Sequence, residues 1–123
     1  MDYKVIEKDR LRYMEYAAAG MPLNSEKDAV DLISGCFENK IHYIVLHAQA
    51  LSDDFFKLRT GVAGMILQKF INYRVKVAVV LENDEKVKGK FKELLSESNK
   101  GSDFRTFFST AEAERWFDSF IQK

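Results

Sequence analysis

The sequence predicts an α/β protein: a mixed, mainly parallel five-stranded sheet with an N-terminal β-hairpin and elements in the order ββαβαβαβα. Three observations predict it. Two continuous apolar runs, IHYIVL at 41–46 and VKVAVVL at 75–81, have the character of strands covered on both faces. Segments with apolar residues at helical spacing separate the later strands, as right-handed crossovers between parallel neighbours require. Two runs rich in β-branched and aromatic residues open the chain, close enough to pair with each other.

Those opening runs, residues 3–8 and 11–17, are joined by Asp9-Arg10 and form the expected hairpin. Gly20-Met21-Pro22 breaks the pattern, and Ser25 with Asp28 reads as an N-cap followed by a first-turn acid. Behind it Ala29, Leu32, Ile33, Cys36 and Phe37 fall on one helical face. Strand 41–46 follows. A shorter turn near 52–56 precedes a helix expected over 60–73, with Val62, Met65, Ile66, Phe70 and Tyr73 toward the sheet. Leu67 and Ile71 add apolar surface on its flank, which predicts either enclosure by the neighbouring helix or contact with a partner. After strand 75–81, Asn83 or Asp84 caps a third helix with Val87, Phe91, Leu94 and Leu95 inside and Lys100-Gly101 at its end. FRTFF at 104–108 is the last strand. Ser109 and Glu112 have capping-box spacing, and Ala113, Trp116, Phe117, Phe120 and Ile121 stripe the final helix.

At 123 residues, with 46% hydrophobic residues and ten Phe, the chain is sized for a single domain over 1–123 with one packed core. Its 19 basic residues against 19 acidic ones give no electrostatic case for nucleic acid or an anionic membrane. The opening MDYKVIEKDR lacks an apolar signal region, and no apolar run approaches the ~20 residues that cross a bilayer. One cysteine makes no internal disulfide, which suits a reducing cytoplasm. The expectation is a soluble cytoplasmic domain.

The strand-edge segment after 41–46 is where a parallel sheet builds its sites. His47 sits just past that strand's apolar run and could act as a base, bind an anion or ligate a metal; a structural or simply exposed histidine is the competing reading. His42, five residues away on a strand, falls on the opposite face and reads as a sheet residue. Ser52-Asp53-Asp54 reads as a helix start, with a phosphoacceptor serine or a carboxylate base as the alternative. Arg59 and Thr60, at the step into a helix at Gly61, could hold an anion. Neither GxxxxGK[ST] nor GxGxxG is present, so no nucleotide or other cofactor is expected. Gly61 and Gly64 share a helical face, and close packing on the sheet is the reading for Gly64. Cys36 reads as a small buried hydrophobe. The lysines at 86, 88, 90 and 92 read as a solvated helix face.

YKVIEK near the start, DFFKLRTGVAGMILQKFINYRVKVAVV in the middle and FRTFFSTAEAERWF at the end resemble domain-of-unknown-function family 4180, a bacterial family of small uncharacterised proteins. That resemblance implies a fold and no reaction. More distantly, the element order and the closing A-E-R-W-F helix look like STAS-type, SpoIIAA-like domains. Those bind partner proteins and carry a phosphorylatable serine on the helix after the central strand. Ser52 is the nearest positional match, but it is followed by acids where the family pattern has a preceding aspartate.

Two functions are therefore expected to compete. The first is a non-enzymatic regulatory or protein-interaction domain, binding a protein partner or a second copy of itself through residues 48–60 and the flank of the second helix. The second is small-molecule binding, of an anionic metabolite, or catalysis at the sheet's C-terminal edge. It would use His47, Asp53 or Asp54, Arg59, Thr60 and Asn83.

Overall fold

The structure is a computed structural model that describes residues 2–17, 20–81 and 102–121. Strands β1 (Lys4–Lys8) and β2 (Leu11–Tyr16) form the hairpin. Lys8 pairs with Leu11, so Asp9 and Arg10 make a two-residue turn. Asp9 takes a left-handed φ of 53°, which an aspartate tolerates because its short polar side chain can bond locally.

Helix α1 (Glu26–Glu38) opens with a full capping box: Ser25 Oγ accepts from the Asp28 amide at 3.2 Å, and Asp28 Oδ2 accepts from the Ser25 amide at 3.1 Å. Ala29, Leu32, Ile33 and Cys36 are buried, but Phe37, expected on the same stripe, is exposed. Burial pushes the Cys36 thiol up to about 12, in keeping with the packing role read from its position.

Strand β3 (Tyr43–His47) starts two residues later than the apolar run suggests. The reason is the end of α1. Lys40 adopts a left-handed φ of 56°, its amide donates to Phe37 O, and the Ile41 amide donates to Cys36 O at 2.8 Å. That closes a Schellman motif, so Ile41 belongs to the helix terminus. His42, expected within the strand, precedes it and is exposed, although its carbonyl accepts from the Lys76 amide at 2.9 Å.

After β3 come a 3-10 turn (Ala48–Ala50), a short helix α2 (Asp53–Phe56), a second 3-10 turn (Leu58–Thr60) and helix α3 (Val62–Asn72). Gly61 caps α3 at a φ of 75°, a conformation glycine adopts without steric penalty. Helix α3 is rotated from the expected stripe. Ala63, Ile66, Leu67 and Phe70 are buried, whereas Met65 and Tyr73 face out. Gly64 is exposed, and a Cβ there would meet nothing within 4 Å, so the close-packing role expected of it is overturned. The glycine that does permit close approach is Gly35 in α1: an added Cβ would lie 2.8 Å from the Tyr3 ring. Helix α3 ends as α1 does, with Arg74 at a φ of 60°, the Arg74 amide on Ile71 O and the Val75 amide on Phe70 O, both at 2.9 Å.

Strands β4 (Lys76–Val80) and β5 (Phe104–Phe107) and helix α4 (Thr110–Ile121) complete the described elements. Ser109 caps α4 as its spacing predicts, the Glu112 amide donating to Ser109 Oγ at 3.2 Å; Glu112 Oε1 accepts at 3.2 Å from the Phe108 amide, one residue before the amide a capping box would use. The helix expected after Asn83 or Asp84, with its lysines, lies outside the described residues.

The sheet is mixed, in the order β1-β2-β3-β4-β5: β1 and β2 are antiparallel, and β2-β3, β3-β4 and β4-β5 are parallel. Alternation divides its side chains between two cores. Met14, Tyr16, Ile44, Leu46, Val77 and Val79 pack with α1 and α3; Tyr13, Val45, Ala78 and Val80 pack under α4 with Ala113 and Phe117. Strands β3 and β4 are thus covered on both faces, the reason their sequences read as continuous apolar runs. Among the described residues, no helix is long and apolar enough to cross a membrane.

Candidate functional site

Strand β2 turns Leu11, Tyr13 and Glu15 toward α4, and β3 turns Tyr43, Val45 and His47 the same way. The parallel register sets Glu15 opposite Val45, with His47 the next residue on that face. His47 Nε2 lies 2.8 Å from Glu15 Oε2. A carboxylate only accepts, so the proton of this bond sits on Nε2. The His47 side chain is 8% exposed and the Glu15 side chain 22%, so the acid is the more open member of the pair.

Glu15 also lines a cleft of about 380 Å³ with Asp2, Tyr3, Lys4 and Ala17. Lys4 is its cross-strand partner in the hairpin. Further down the same face, the Tyr13 hydroxyl donates to Glu114 Oε2 at 2.7 Å, and Lys8 Nζ approaches that oxygen at 3.0 Å. Burial, then the hydrogen bond to Glu114, raises the Tyr13 hydroxyl well above the ordinary phenol value. A second cleft, of about 450 Å³, lies at the turn end of the hairpin between Arg10 and Asp118.

The other predicted residues occupy the loop after β3. Ser52 caps α2, its Oγ accepting from the Phe55 amide at 3.2 Å, and Asp53 and Asp54 form the first turn. The Thr60 hydroxyl is shared between the carbonyls of Asp54 (2.6 Å) and Lys57 (2.8 Å), and its oxygen accepts from the Val62 amide at 3.2 Å. Thr60 therefore ties the loop to the start of α3. Arg59 is exposed. Phe55 and Phe56 root this loop in the core on the α1 and α3 side, whereas His47 faces the α4 side. Asn83 lies outside the described residues.

Glu15 was not among the residues the sequence singled out. The signal for it is the alternation itself: Leu11, Tyr13 and Glu15 share a strand face, so an acid stands where the pattern calls for an apolar residue.

A second feature lies on the outer surface of the helical layer. Val30, Phe37, Met65 and Tyr73 are 41%, 54%, 38% and 46% exposed, large fractions for such side chains. Val30 and Phe37 lie seven apart on α1, and Met65 and Tyr73 eight apart along α3 and its cap, so each pair lies on one stripe. Two contacts join the stripes: the Phe37 and Tyr73 rings meet edge-on at 5.7 Å, and Lys69 Nζ lies 2.8 Å from Glu26 Oε1.

A family model described as a domain of unknown function (DUF4180) matches residues 8–117, from the last residue of β1 into α4. The chain belongs to this family. The matched span contains Glu15 and His47, the loop from Ser52 to Thr60, and both stripes of the α1–α3 seam. Neither a curated protein nor a solved structure matches the chain.

For this family member the arrangement offers two kinds of chemistry. The Glu15–His47 pair couples a half-open carboxylate to a buried imidazole, a combination that orients charge at the rim of a cleft. Among the described residues, no group of three or more His, Cys, Asp and Glu is placed to hold a metal ion. The α1–α3 seam offers apolar and aromatic area with a charged border, the composition of a protein contact.

Proposed function

We propose that the chain is a non-catalytic protein-interaction domain, regulatory in the manner of the STAS-type domains it resembles, and that it docks through the outer face of α1 and α3. The observation that carries this reading is the exposed seam of Val30, Phe37, Met65 and Tyr73 around the edge-on aromatic pair. Aromatic residues and methionine are enriched in interface cores, and exposed apolar side chains clustered this way mark contact sites. The STAS likeness is supported by a mixed five-stranded sheet with α1 and α3 on one face and an amphipathic α4 on the other. Asp53, Asp54 and Arg59 are exposed in the segment capped by Ser52 that leads into α3, at the other end of that helix from Tyr73.

A photo-crosslinking residue in place of Phe37 tests this. In cell extract it should give a discrete adduct with a polypeptide, and the same residue in place of Arg12 on the hairpin should not. No adduct from position 37, or equal adducts from both, removes the reading.

A second reading is a small anionic metabolite at the strand edge, with Lys4 as the cation of a cleft that Asp2 and Glu15 also line, so those two acids weigh against an anion held there by Lys4 alone. Arg59, Thr60 and Asn83 would join that site only if the ligand spanned the edge to the loop. A thermal-shift screen against phosphorylated and carboxylate metabolites checks it, because a ligand at 100 times its dissociation constant stabilises by about 2.7 kcal/mol.

A further inference from the structure

We infer that the cleft at the turn end of the hairpin is a binding site for a free basic α-amino acid of the lysine or arginine class. It lies on the α4 side of the sheet, whereas the seam lies on the α1 and α3 side, so it stands or falls separately from the docking reading above.

The cleft measures about 450 Å³, within the span of about 300–1,000 Å³ usual for small-molecule sites. Two elements build it. The hairpin supplies Lys8, Asp9, Arg10 and Leu11; α4 supplies Glu114, Asp118 and Ile121, which fall at i, i+4 and i+7 on one helical face. Leu11 is buried and Ile121 half-buried, and together they give the cleft its apolar surface.

Its charges divide into those already satisfied and those left over. Lys8 Nζ lies 3.0 Å from Glu114 Oε2, which also accepts from the Tyr13 hydroxyl at 2.7 Å, so that ion pair is closed within the chain. Asp9, Arg10 and Asp118 line the same cleft, and their side chains form no ion pair or hydrogen bond among the described residues. Arg115, between the two acids of α4 in sequence, does not line the cleft. The set left over is two carboxylates and one guanidinium.

A basic α-amino acid carries the reverse set, two cations and one carboxylate. Placement matches as well as number. Asp9 and Arg10 are consecutive on one rim, just as the α-ammonium and α-carboxylate share one carbon. Asp118 stands apart on α4, as the side-chain cation stands at the far end of an aliphatic stem. Arg10 takes the carboxylate through parallel N–H bonds, and the stem lies over Leu11 and Ile121. An acidic amino acid sets two carboxylates against one guanidinium, and a neutral one leaves Asp118 unmatched. Charge therefore sets the order of preference.

Isothermal titration calorimetry on the full chain at low salt decides it. L-Lysine or L-arginine should bind saturably, with a dissociation constant of about 1 mM or below. L-Norleucine, which lacks the distal cation, should bind at least roughly tenfold more weakly, and so should cadaverine and agmatine, which lack the carboxylate. Asp118→Asn should erase the advantage of the basic amino acid over norleucine. Arg10→Gln should erase its advantage over the decarboxylated amines. Neither substitution removes a bond within the chain, so both variants should keep the wild-type circular-dichroism spectrum. No saturable binding of either amino acid up to about 10 mM overturns the inference. Norleucine or the amines matching the amino acid in the wild type also overturns it, as does an advantage that survives both substitutions.

Discussion

His47 donates to Glu15 across two adjacent parallel strands, at 2.8 Å, although the residues are 32 apart in the chain. Among the core side chains under α4 it is a polar contact between a buried ring and a half-buried acid. Removing the acceptor leaves a buried nitrogen with one hydrogen bond fewer. Glu15→Ala is expected to lower the unfolding free energy by about 1–3 kcal/mol, and Glu15→Gln, which keeps an acceptor oxygen, by less. Urea denaturation of the two variants checks this; equal losses, or none, would show that the bond contributes nothing to stability.

Three glycines should respond differently to alanine. Gly64→Ala adds a methyl in open space on a helix and is expected to stabilise by about 0.5–1 kcal/mol. Gly61→Ala meets no atom either, but its φ of 75° makes the methyl strained, at a cost of about 1–2 kcal/mol. Gly35→Ala brings a methyl to 2.8 Å from the outer atoms of the Tyr3 ring, a flexible side chain that can swing aside, so the net change should stay within about 0.5 kcal/mol. Thermal melts should rank Gly64→Ala above the wild type, Gly61→Ala below it and Gly35→Ala close to it.

The two Schellman termini carry residues that dislike their conformation. Lys40 holds a φ of 56° where glycine is the usual occupant. Lys40→Gly is expected to raise stability by about 1 kcal/mol, the relief of left-handed strain outweighing a lost cation at the helix end. Equilibrium denaturation checks it; a loss of stability would show that the lysine's charge matters more than its backbone.

Stability should decline in alkali, and the sign follows from two raised groups. Burial pushes the Cys36 thiol from its ordinary value of 9.0 up to about 12, and burial with Glu114 raises Tyr13. Above about pH 9 the unfolded chain releases these protons while the folded one keeps them, so the unfolded state binds fewer protons and unfolding becomes easier as pH rises. Between about pH 9 and 12 the thiol alone contributes a fall approaching 1.4 kcal/mol per pH unit. Cys36→Ala should flatten the dependence of the urea midpoint on pH over the accessible part of that window. Native Cys36 should also resist iodoacetamide at pH 8 until denaturant is added.

Much of the architecture was legible because burial on two faces leaves an unmistakable imprint on a strand: β3 and β4 stand out as apolar runs. The N-caps at Ser25, Ser52 and Ser109 were visible from the sequence, while the full capping box formed at Ser25 with Asp28, where only a cap and a first-turn acid had been expected. What escaped was orientation. VAGMILQKFIN has too few polar residues to fix which side faces inward, and α3 buries Leu67 while leaving Met65 and Tyr73 outside. The end of α1 escaped because its left-handed residue is Lys40, where the usual signal is glycine. The Glu15–His47 contact depends on inter-strand register, which no local window contains. Gly35 was missed for a related reason, since its neighbour Tyr3 arrives from the far end of the chain segment.

The strand order β1-β2-β3-β4-β5 has a consequence for biosynthesis. Each strand emerging from the ribosome finds its hydrogen-bonding neighbour already made, so the sheet can extend one edge at a time without inserting a late strand between early ones. The side bearing Tyr13, Val45, Ala78 and Val80, by contrast, stays uncovered until Ala113 and Phe117 are translated. A nascent chain halted before α4 would therefore present a sticky half-finished surface, and the twelve residues of α4 are the cover that closes it.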